Sequence, residues 1–238
     1  MAVTLISGET EKDYPVELIG GKAKGLIALK WLVPQLTSGH SRVEVPDFFV
    51  IPCGYDLNNM GEILEQAEPF YRFAVRSSSP FEDGLEYSFD GIFDTCLDVD
   101  SSGLREAIET VMASAQGSKA RQYAKDFGLT IDDRLAVIIQ RMAYGGEDGV
   151  IYSKFPASAS ITKIISWRDE ENRFFTILRR NDAPEGLRTA GEVIEGGGIN
   201  IEIAGRLAGI SYTVEGNFGF PVRIEYTMAR HPEEIYLL

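Results

Sequence analysis

The sequence is poor in the residues that build disulfide scaffolds, metal clusters and nucleic-acid surfaces. Its 238 residues include two cysteines, two histidines and two tryptophans. Two thiols in a chain of this length exclude a disulfide framework, and Cys53 and Cys96 match no zinc-binding spacing. There are 23 basic residues against 36 acidic ones, which gives a net charge of −13. Such a field repels nucleic acid and anionic lipid, so neither is expected as a partner.

Long apolar runs are also absent. No stretch approaches the roughly 18 apolar residues of a membrane span, and the N-terminal residues lack the basic start and apolar run of a signal peptide. The sequence therefore predicts a cytoplasmic protein with no membrane partner. With 44% hydrophobic residues, the chain can bury a sizeable core as one large domain or as two lobes.

Hydrophobic periodicity predicts helices mixed with strands, followed by a strand-rich second half. Helices are predicted over residues 18–33, 60–67, 104–114 and 119–127, and from residue 201 within 201–216. Strands are predicted over residues 45–51, 73–75, 135–141, 149–153, 160–167, 173–179, 221–226 and 235–238. Pro34 is expected to end the first helix, and turns are expected at residues 168–172 and 196–198.

This order of elements indicates the α+β class. The helical region gives way to strands near residues 128–133. The sequence therefore predicts an N-terminal lobe over residues 1–130 and a strand-rich C-terminal lobe over residues 131–238.

Polar chemistry is concentrated after the strand at residues 73–75. Arg76 ends this strand and three serines follow it at 77–79. An arginine at a strand end can present a planar fork to a phosphate, and hydroxyls with turn N–H groups can bind phosphate oxygens. Gly91 would allow a close approach of the backbone to an anion. From the residues alone, a solvated polar loop is the alternative, and Asp94 with Thr95 also fits a helix or turn cap.

Four segments together carry a family resemblance. Residues 73–99, FAVRSSSPFEDGLEYSFDGIFDTCLDV, resemble the signature of the ATP-binding domain of the phosphoenolpyruvate synthase and pyruvate phosphate dikinase family. Three further stretches resemble its motifs in the same order: IGGKAKGLIAL at 19–29, VIIQRMAYGGEDGVIYS at 137–153 and FGFPVRIEYTMARHPEEIYLL at 218–238. The resemblance implies a two-lobed, ATP-grasp-like nucleotide-binding domain.

The resemblance also implies ATP and Mg²⁺ as ligands and gives roles to individual residues. Cationic side chains would neutralise the phosphates, a polar loop would cover them, a strand linking the lobes would lie near the adenine, and a carboxylate would hold the metal ion. The cationic residues are Lys22 and Arg76, and the covering loop at residues 90–95 contains Gly91, Asp94 and Thr95. The residues near the adenine are Gln140 and Met142, and the carboxylate is that of Glu225. Ser77 and Ser78 are further nucleotide-binding residues. As alternatives from the residues alone, Lys22 could be a solvated lysine and Glu225 could face solvent.

The sequence departs from the family pattern at several points. Arg223 stands where the family has an aspartate, so a guanidinium replaces a carboxylate in the metal region. The printed sequence stops at Leu238, before the family's Q-x-R, and neither His40 nor His231 lies in a carrier motif. The insertion before residue 73 is reduced, and residues 166–199 do not match the family's GLGE stretch. The chain alone is therefore not expected to make phosphoenolpyruvate.

Three functions follow as hypotheses. The first is phosphoryl transfer from MgATP to a histidine or a small acceptor on another chain. The second is a nucleotide-binding or regulatory module without catalysis, which Arg223 and the missing Q-x-R favour. The third is an interaction protein that kept the fold and lost the nucleotide.

Overall fold

A computed structural model describes residues 4–37, 42–80, 92–127, 135–157, 161–168, 171–178, 193–197, 200–229 and 234–238. The helices are α1 (Val16–Leu36), α2 (Met60–Ala67), α3 (Leu104–Ser114), α4 (Ser118–Phe127) and α5 (Ile201–Phe218), with a short 3₁₀ helix at Leu57–Asn59. The strands are β1 (Ile6–Ser7), β2 (Arg42–Glu44), β3 (Phe48–Ile51), β4 (Phe73–Ser78), β5 (Thr95–Val99), β6 (Ala136–Arg141), β7 (Glu147–Tyr152), β8 (Ile161–Arg168), β9 (Glu171–Leu178), β10 (Val193–Gly197), β11 (Arg223–Met228) and β12 (Glu234–Leu237).

The chain divides into two compact units. The first unit comprises Met1–Lys30 and Pro46–Met142, and the second comprises Trp31–Val45 and Ala143–Leu238. Each described unit contains a mainly antiparallel sheet and at least one packed helix, which confirms the predicted α+β class. The functional lobes proposed at residues 1–130 and 131–238 stay a prediction.

The first unit is built on a five-stranded sheet in the order β1-β3-β6-β4-β5. Helix α3 packs against β4, β5 and β6. Its buried residues Leu104, Ala107, Ile108 and Val111 follow the i, i+3, i+4, i+7 spacing of an amphipathic helix. They join Phe73 and the other buried side chains of one sheet face in a single core. This core leaves the opposite face of the sheet to other contacts, because successive strand residues point to opposite sides.

The second unit is built on a seven-stranded sheet in the order β10-β9-β8-β7-β11-β12-β2. All its strand pairs are antiparallel except β12 with β2. Helix α5 packs on β7 and β8. Asn200 caps the start of this helix by accepting a hydrogen bond from the N–H of Glu202, and Gly219 ends it in the left-handed conformation.

Most elements lie where the periodicity predicts them, and α2 and α3 match their predicted bounds. Helix α1 is a correction, because it continues through Pro34 to Leu36. Pro34 has no N–H to donate, so one helical hydrogen bond is lost there. The helical pattern continues beyond it, with the Thr37 N–H donating to the Val33 carbonyl. The predicted glycine turn is a second correction: Gly196 and Gly197 lie in β10, paired with β9, while Gly198 lies outside the described residues.

The start of α1 contains a sharp change of backbone direction at Gly20. Its φ of 76° and ψ of 165° are not helical, and glycine alone adopts this region without strain. A Cβ atom placed there would lie 2.3 Å from the backbone and from the hydroxyl oxygen of Ser78. Gly20 is therefore needed for the close approach of the helix start to the end of β4.

We predict that Gly20→Ala lowers the free energy of unfolding by about 3 kcal/mol, from backbone strain combined with the clash against Ser78. Gly25→Ala is the matched control, because Gly25 lies in the same helix with open space where a Cβ would be. That variant should be stabilised by about 0.5–1 kcal/mol. Urea unfolding of both variants measures the difference, and equal stabilities would contradict the role given to Gly20.

Candidate functional site

The polar segment after residue 75 is buried strand, which corrects the predicted loop. Arg76, Ser77 and Ser78 continue β4 and pair with Ile138, Val137 and Ala136 of β6. The side chain of Arg76 is 7% exposed, and Ser77, Ser78 and Ser79 are buried. Because β6 runs alongside Arg76, Ser77 and Ser78, the backbone groups of these residues hydrogen-bond to β6 and not to water.

Alternation along β4 directs the side chains of Arg76 and Ser78 away from the helix-packed core and that of Ser77 toward it. Phe73 and Val75 belong to that core, so Arg76 points to the opposite face. There its Nη1 atom donates a long hydrogen bond of 3.5 Å to Oε1 of Gln140. The structure thus brings together two residues that the sequence predicts for nucleotide binding.

Gln140 has a second feature that points to a ligand. Its side chain is 1% exposed, and its amide Nε2 has no hydrogen-bond partner within the described ranges. The bond from Arg76 assigns the other amide atom as oxygen, so Nε2 is a donor. A buried donor without an acceptor is costly in a folded protein and calls for a specific partner.

The helix start carrying Lys22 is fastened to the end of β4 on both sides of the lysine. The Gly21 N–H donates to the Ser79 carbonyl at 2.9 Å, and the Ala23 N–H donates to Oγ of Ser78 at 3.0 Å. Ser78 therefore caps the helix with the hydroxyl that was predicted to bind phosphate. The half-buried Lys22 is held at the edge of the serine segment by these two bonds.

Residues 141 and 142, at the end of β6 where the adenine is predicted to lie, are also held in place by backbone hydrogen bonds. The Arg141 N–H donates to the Asp47 carbonyl at 2.8 Å, and the Met142 N–H donates to the Arg72 carbonyl at 2.8 Å. The Asp47 carboxylate accepts from Nζ of Lys30 at 2.6 Å. Burial lowers the pKa of Lys30, but the hydrogen bonds that it donates to Asp47 and Glu9, together with the negative charges of these carboxylates, raise it by more, so the net pKa lies above the ordinary value.

The predicted phosphate-covering loop is described only in part. Gly91 lies outside the described residues. Asp94 is exposed, and Thr95 is the first residue of β5, not part of a loop or a cap. Thr95 stands opposite Arg76 in the pairing of β4 with β5, so the two side chains share a sheet face.

Glu225 lies in the second unit, on β11, and its carboxylate is half-buried. Nη1 of Arg223 lies 3.1 Å from Oε1 of Glu225 in an ion pair. In the described parts of the chain, no group of three or more His, Cys, Asp or Glu side chains could hold a metal ion. A guanidinium beside the carboxylate repels a divalent cation, so these residues do not fit a magnesium site.

Several contacts were not predicted from the sequence: the helix cap by Ser78, the Arg76–Gln140 pair and the Arg223–Glu225 pair. Each joins residues that are far apart in sequence or depends on which strand face a side chain takes. The signals for them in the sequence were the unusual polar content of the segment after residue 75 and the arginine at 223 in the predicted metal region. Over the described ranges, no helix is long and apolar enough to cross a membrane.

Comparison with known proteins gives a family for the centre of the chain. Residues 56–168 match the family described as pyruvate phosphate dikinase, AMP/ATP-binding domain. The phosphoenolpyruvate synthase of Aeropyrum pernix is 32% identical over 164 residues, which cover 68% of this chain and 18% of that protein. The prodigiosin synthesizing transferase PigC of Serratia marcescens is 34% identical over 94 residues, which cover 39% of this chain and 10% of that protein. The chain thus spans about a tenth to a fifth of the length of these curated relatives.

The solved structures to which the chain is similar include two ligases. The VanG D-Ala:D-Ser ligase from Enterococcus faecalis has a TM-score of 0.46 and 14% identity, covering 91% of this chain and 50% of that chain. The D-alanine–D-alanine ligase from Bacillus anthracis has a TM-score of 0.43 and 13% identity, covering 89% of this chain and 53% of that chain.

We predict that Ser78→Ala lowers the free energy of unfolding by about 1–2 kcal/mol, because the buried Ala23 N–H loses its acceptor. Ser102→Ala is the control, because the Ser102 hydroxyl also makes a hydrogen bond, as a donor to Asp100, but in an exposed turn. Its loss should cost no more than about 0.5 kcal/mol. Chemical denaturation measures both. A Ser78→Ala protein as stable as Ser102→Ala would show that the cap contributes nothing.

Proposed function

Because residues 56–168 of this chain belong to the pyruvate phosphate dikinase AMP/ATP-binding domain family, we propose that the protein binds ATP. Lys22 and Arg76 contact the phosphates in this proposal, and Gln140 and Met142 contact the base. The observation that carries it is the cluster at the end of β4, where the Lys22 helix start is fastened to Ser78 and Ser79 beside a buried arginine.

The arrangement suits recognition of a nucleotide by fixed groups. A planar guanidinium and an ammonium favour phosphate oxygens. The amide Nε2 of Gln140 is a buried donor, and a nitrogen or oxygen of the base could accept its hydrogen bond. Arg76 and Gln140 lie on strands of one sheet, and their side chains are hydrogen-bonded to each other. Such preorganisation lowers the entropy cost of binding.

The activity that we propose for this site is phosphoryl transfer from ATP to an acceptor on another chain, such as a histidine of a separate protein. Phosphoryl transfer needs mainly positioning and charge neutralisation, which Lys22 and Arg76 would supply. Mg²⁺ would add charge neutralisation when bound, but the residues around Glu225 do not fit it. The chain spans 18% of the length of the synthase that it resembles, and the cytoplasm is its proposed location.

A second candidate function is a nucleotide-binding or regulatory module without transfer. The ion pair between Arg223 and Glu225 favours it, since the carboxylate predicted to hold the metal is already neutralised by a guanidinium. The two candidates share the binding step and differ only in turnover.

Binding is tested first by thermal shift. ATP at 100 times its dissociation constant should stabilise the fold by about 2.7 kcal/mol, which for a chain of this size corresponds to about 5–10 °C. Arg76→Ala should lose the shift. Arg105→Ala is the matched control, because Arg105 is an exposed arginine whose partner Glu109 lies one turn along α3. No shift with ATP, ADP or AMP, or an unchanged shift in Arg76→Ala, would overturn the proposal.

Transfer is tested separately by ³¹P NMR of the protein with ATP, with and without Mg²⁺, in the presence of cell extract. Loss of the γ-phosphate signal, abolished by Lys22→Met, is expected for the transferase. Stable ATP in the presence of a clear thermal shift would reject transfer and support the module without catalysis. Glu225→Gln distinguishes the metal role, because a true metal ligand would lose turnover on this change.

A further inference from the structure

Asp47, the residue directly before β3, joins three elements of the first unit at one point. Its Oδ1 atom accepts a hydrogen bond from Nζ of Lys30, on α1, at 2.6 Å. Its carbonyl accepts a hydrogen bond from the N–H of Arg141, the last residue of β6, at 2.8 Å, and its Oδ2 atom lies 4.0 Å from Nε of the same arginine. Lys30, Asp47 and Arg141 all belong to the first unit, and we call them the Asp47 junction.

The Asp47 junction lies next to Gln140, one of the two residues proposed to contact the base. Phe48, which follows Asp47, stands opposite Gln140 in the pairing of β3 with β6. Nζ of Lys30 lies 6.0 Å from the centroid of the Phe48 ring. Directly opposed residues in antiparallel strands project from the same face of a sheet. The lysine of the junction therefore reaches the face on which the Gln140 side chain lies.

Residues 140–142 are held from both neighbouring strands, and different side chains support the two sides. On the β4 side, the Met142 N–H donates to the Arg72 carbonyl, while the Arg72 side chain donates to the carbonyl of Asp98 on β5 at 3.0 Å. On the β3 side, the Asp47 carboxylate connects the end of β6 with α1. The junction therefore supports the residues proposed to contact the base through side-chain charge, which a substitution can remove while every backbone group remains.

Burial makes Lys30 depend on its carboxylate partners. Its side chain is 14% exposed, whereas that of Asp47 is 58% exposed. A largely buried ammonium is costly without hydrogen bonds, and Lys30 pairs with Glu9, just after β1, at 2.9 Å as well as with Asp47. Neutralising Asp47 leaves the attraction of the lysine to Glu9 and weakens its attraction to the end of β6. Residues 140–142 then have more freedom before a ligand arrives, and ordering them on binding costs free energy.

We propose that Asp47 is a positioning residue for recognition of the base of a nucleotide. Its carboxylate holds Lys30 and Arg141. This junction fixes Gln140 and Met142 in the arrangement that receives the base. The inference rests on the proposed ATP binding and deepens it, because it assigns part of the base affinity to a residue that acts through its neighbours and not by contact with the ligand.

Calorimetric titration of the full chain with ATP and with inorganic tripolyphosphate tests the inference, because tripolyphosphate has no base. Asp47→Asn should bind ATP about tenfold more weakly than the wild type, since residues 140–142 are no longer held before binding. Its affinity for tripolyphosphate should stay within about twofold of the wild-type value, because the cations proposed to contact the phosphates do not depend on the junction and salt screens a distant charge. A role of Asp47 in stability alone would weaken both ligands equally or neither.

Lys30→Gln is a second variant of the junction, and it should show the same loss of affinity for ATP alone; it decides the question if Asp47→Asn does not fold. The two substitutions change the net charge in opposite directions, so a loss shared by both cannot come from long-range electrostatics. Asp13→Asn and Lys24→Gln are the matched controls, because Nζ of Lys24, also on α1, pairs with Asp13 at 2.9 Å in an exposed ion pair. Both controls should bind ATP within about twofold of the wild type.

Hydrogen exchange of the ligand-free protein adds a measurement that needs no nucleotide. The amide N–H groups of Arg141 and Met142 should exchange about tenfold faster in Asp47→Asn than in the wild type, because the segment opens more often. In Asp13→Asn their exchange rates should not change. Melting temperatures confirm that each variant is folded under the conditions of the titration.

The outcomes separate the two proposals. If the wild type binds no ATP, the proposed function fails, and the positioning role that rests on it fails too. If the wild type binds ATP and Asp47→Asn binds it as tightly, or loses ATP and tripolyphosphate to the same extent, ATP binding stands and the positioning role is rejected. Unchanged exchange at Arg141 and Met142 in Asp47→Asn also rejects the positioning role. Selective loss of ATP affinity in both junction variants, with faster exchange, supports both proposals.

Discussion

The contact between the start of α1 and the end of β4 organises the first unit. It depends on a glycine backbone, since the approach of Gly20 to Ser78 leaves no room for a side chain and requires a positive φ. Two hydrogen bonds, from Gly21 and Ala23, then fasten the helix to the strand. Because Lys22 lies between Gly21 and Ala23, this single contact places Lys22 beside β4, the strand that carries the buried Arg76.

The burial of polar side chains in β4 costs free energy, which other interactions in the unit must offset. Buried arginine and glutamine side chains are unfavourable unless their hydrogen-bonding groups have partners. Arg76 and Gln140 meet part of that need through each other, on the sheet face away from α3. Among the described residues, the buried Nε2 of Gln140 has no hydrogen-bond partner, which is a free-energy cost that most buried donors avoid.

Charge is distributed in a way that the overall composition does not reveal. A net charge of −13 repels nucleotides at long range, yet cationic side chains lie at the end of β4 and beside Glu225 on β11. In the second unit the cation beside Glu225 changes what that carboxylate can do. The same glutamate beside an aspartate would attract a metal ion, whereas beside an arginine it is a partner in an ion pair.

The sequence by itself determined the α+β class, the bounds of helices such as α2 and α3, and the family of the central segment, because periodic apolar positions and ordered motifs are local properties of the chain. Only the tertiary structure decided that Arg76 and the serines lie in a buried strand, that Ser78 caps a helix 55 residues away in sequence, and that Arg223 pairs with Glu225. Strand pairing, register and helix docking set these contacts, and all three depend on residues distant in sequence, whose free energies appear only when the chain is packed.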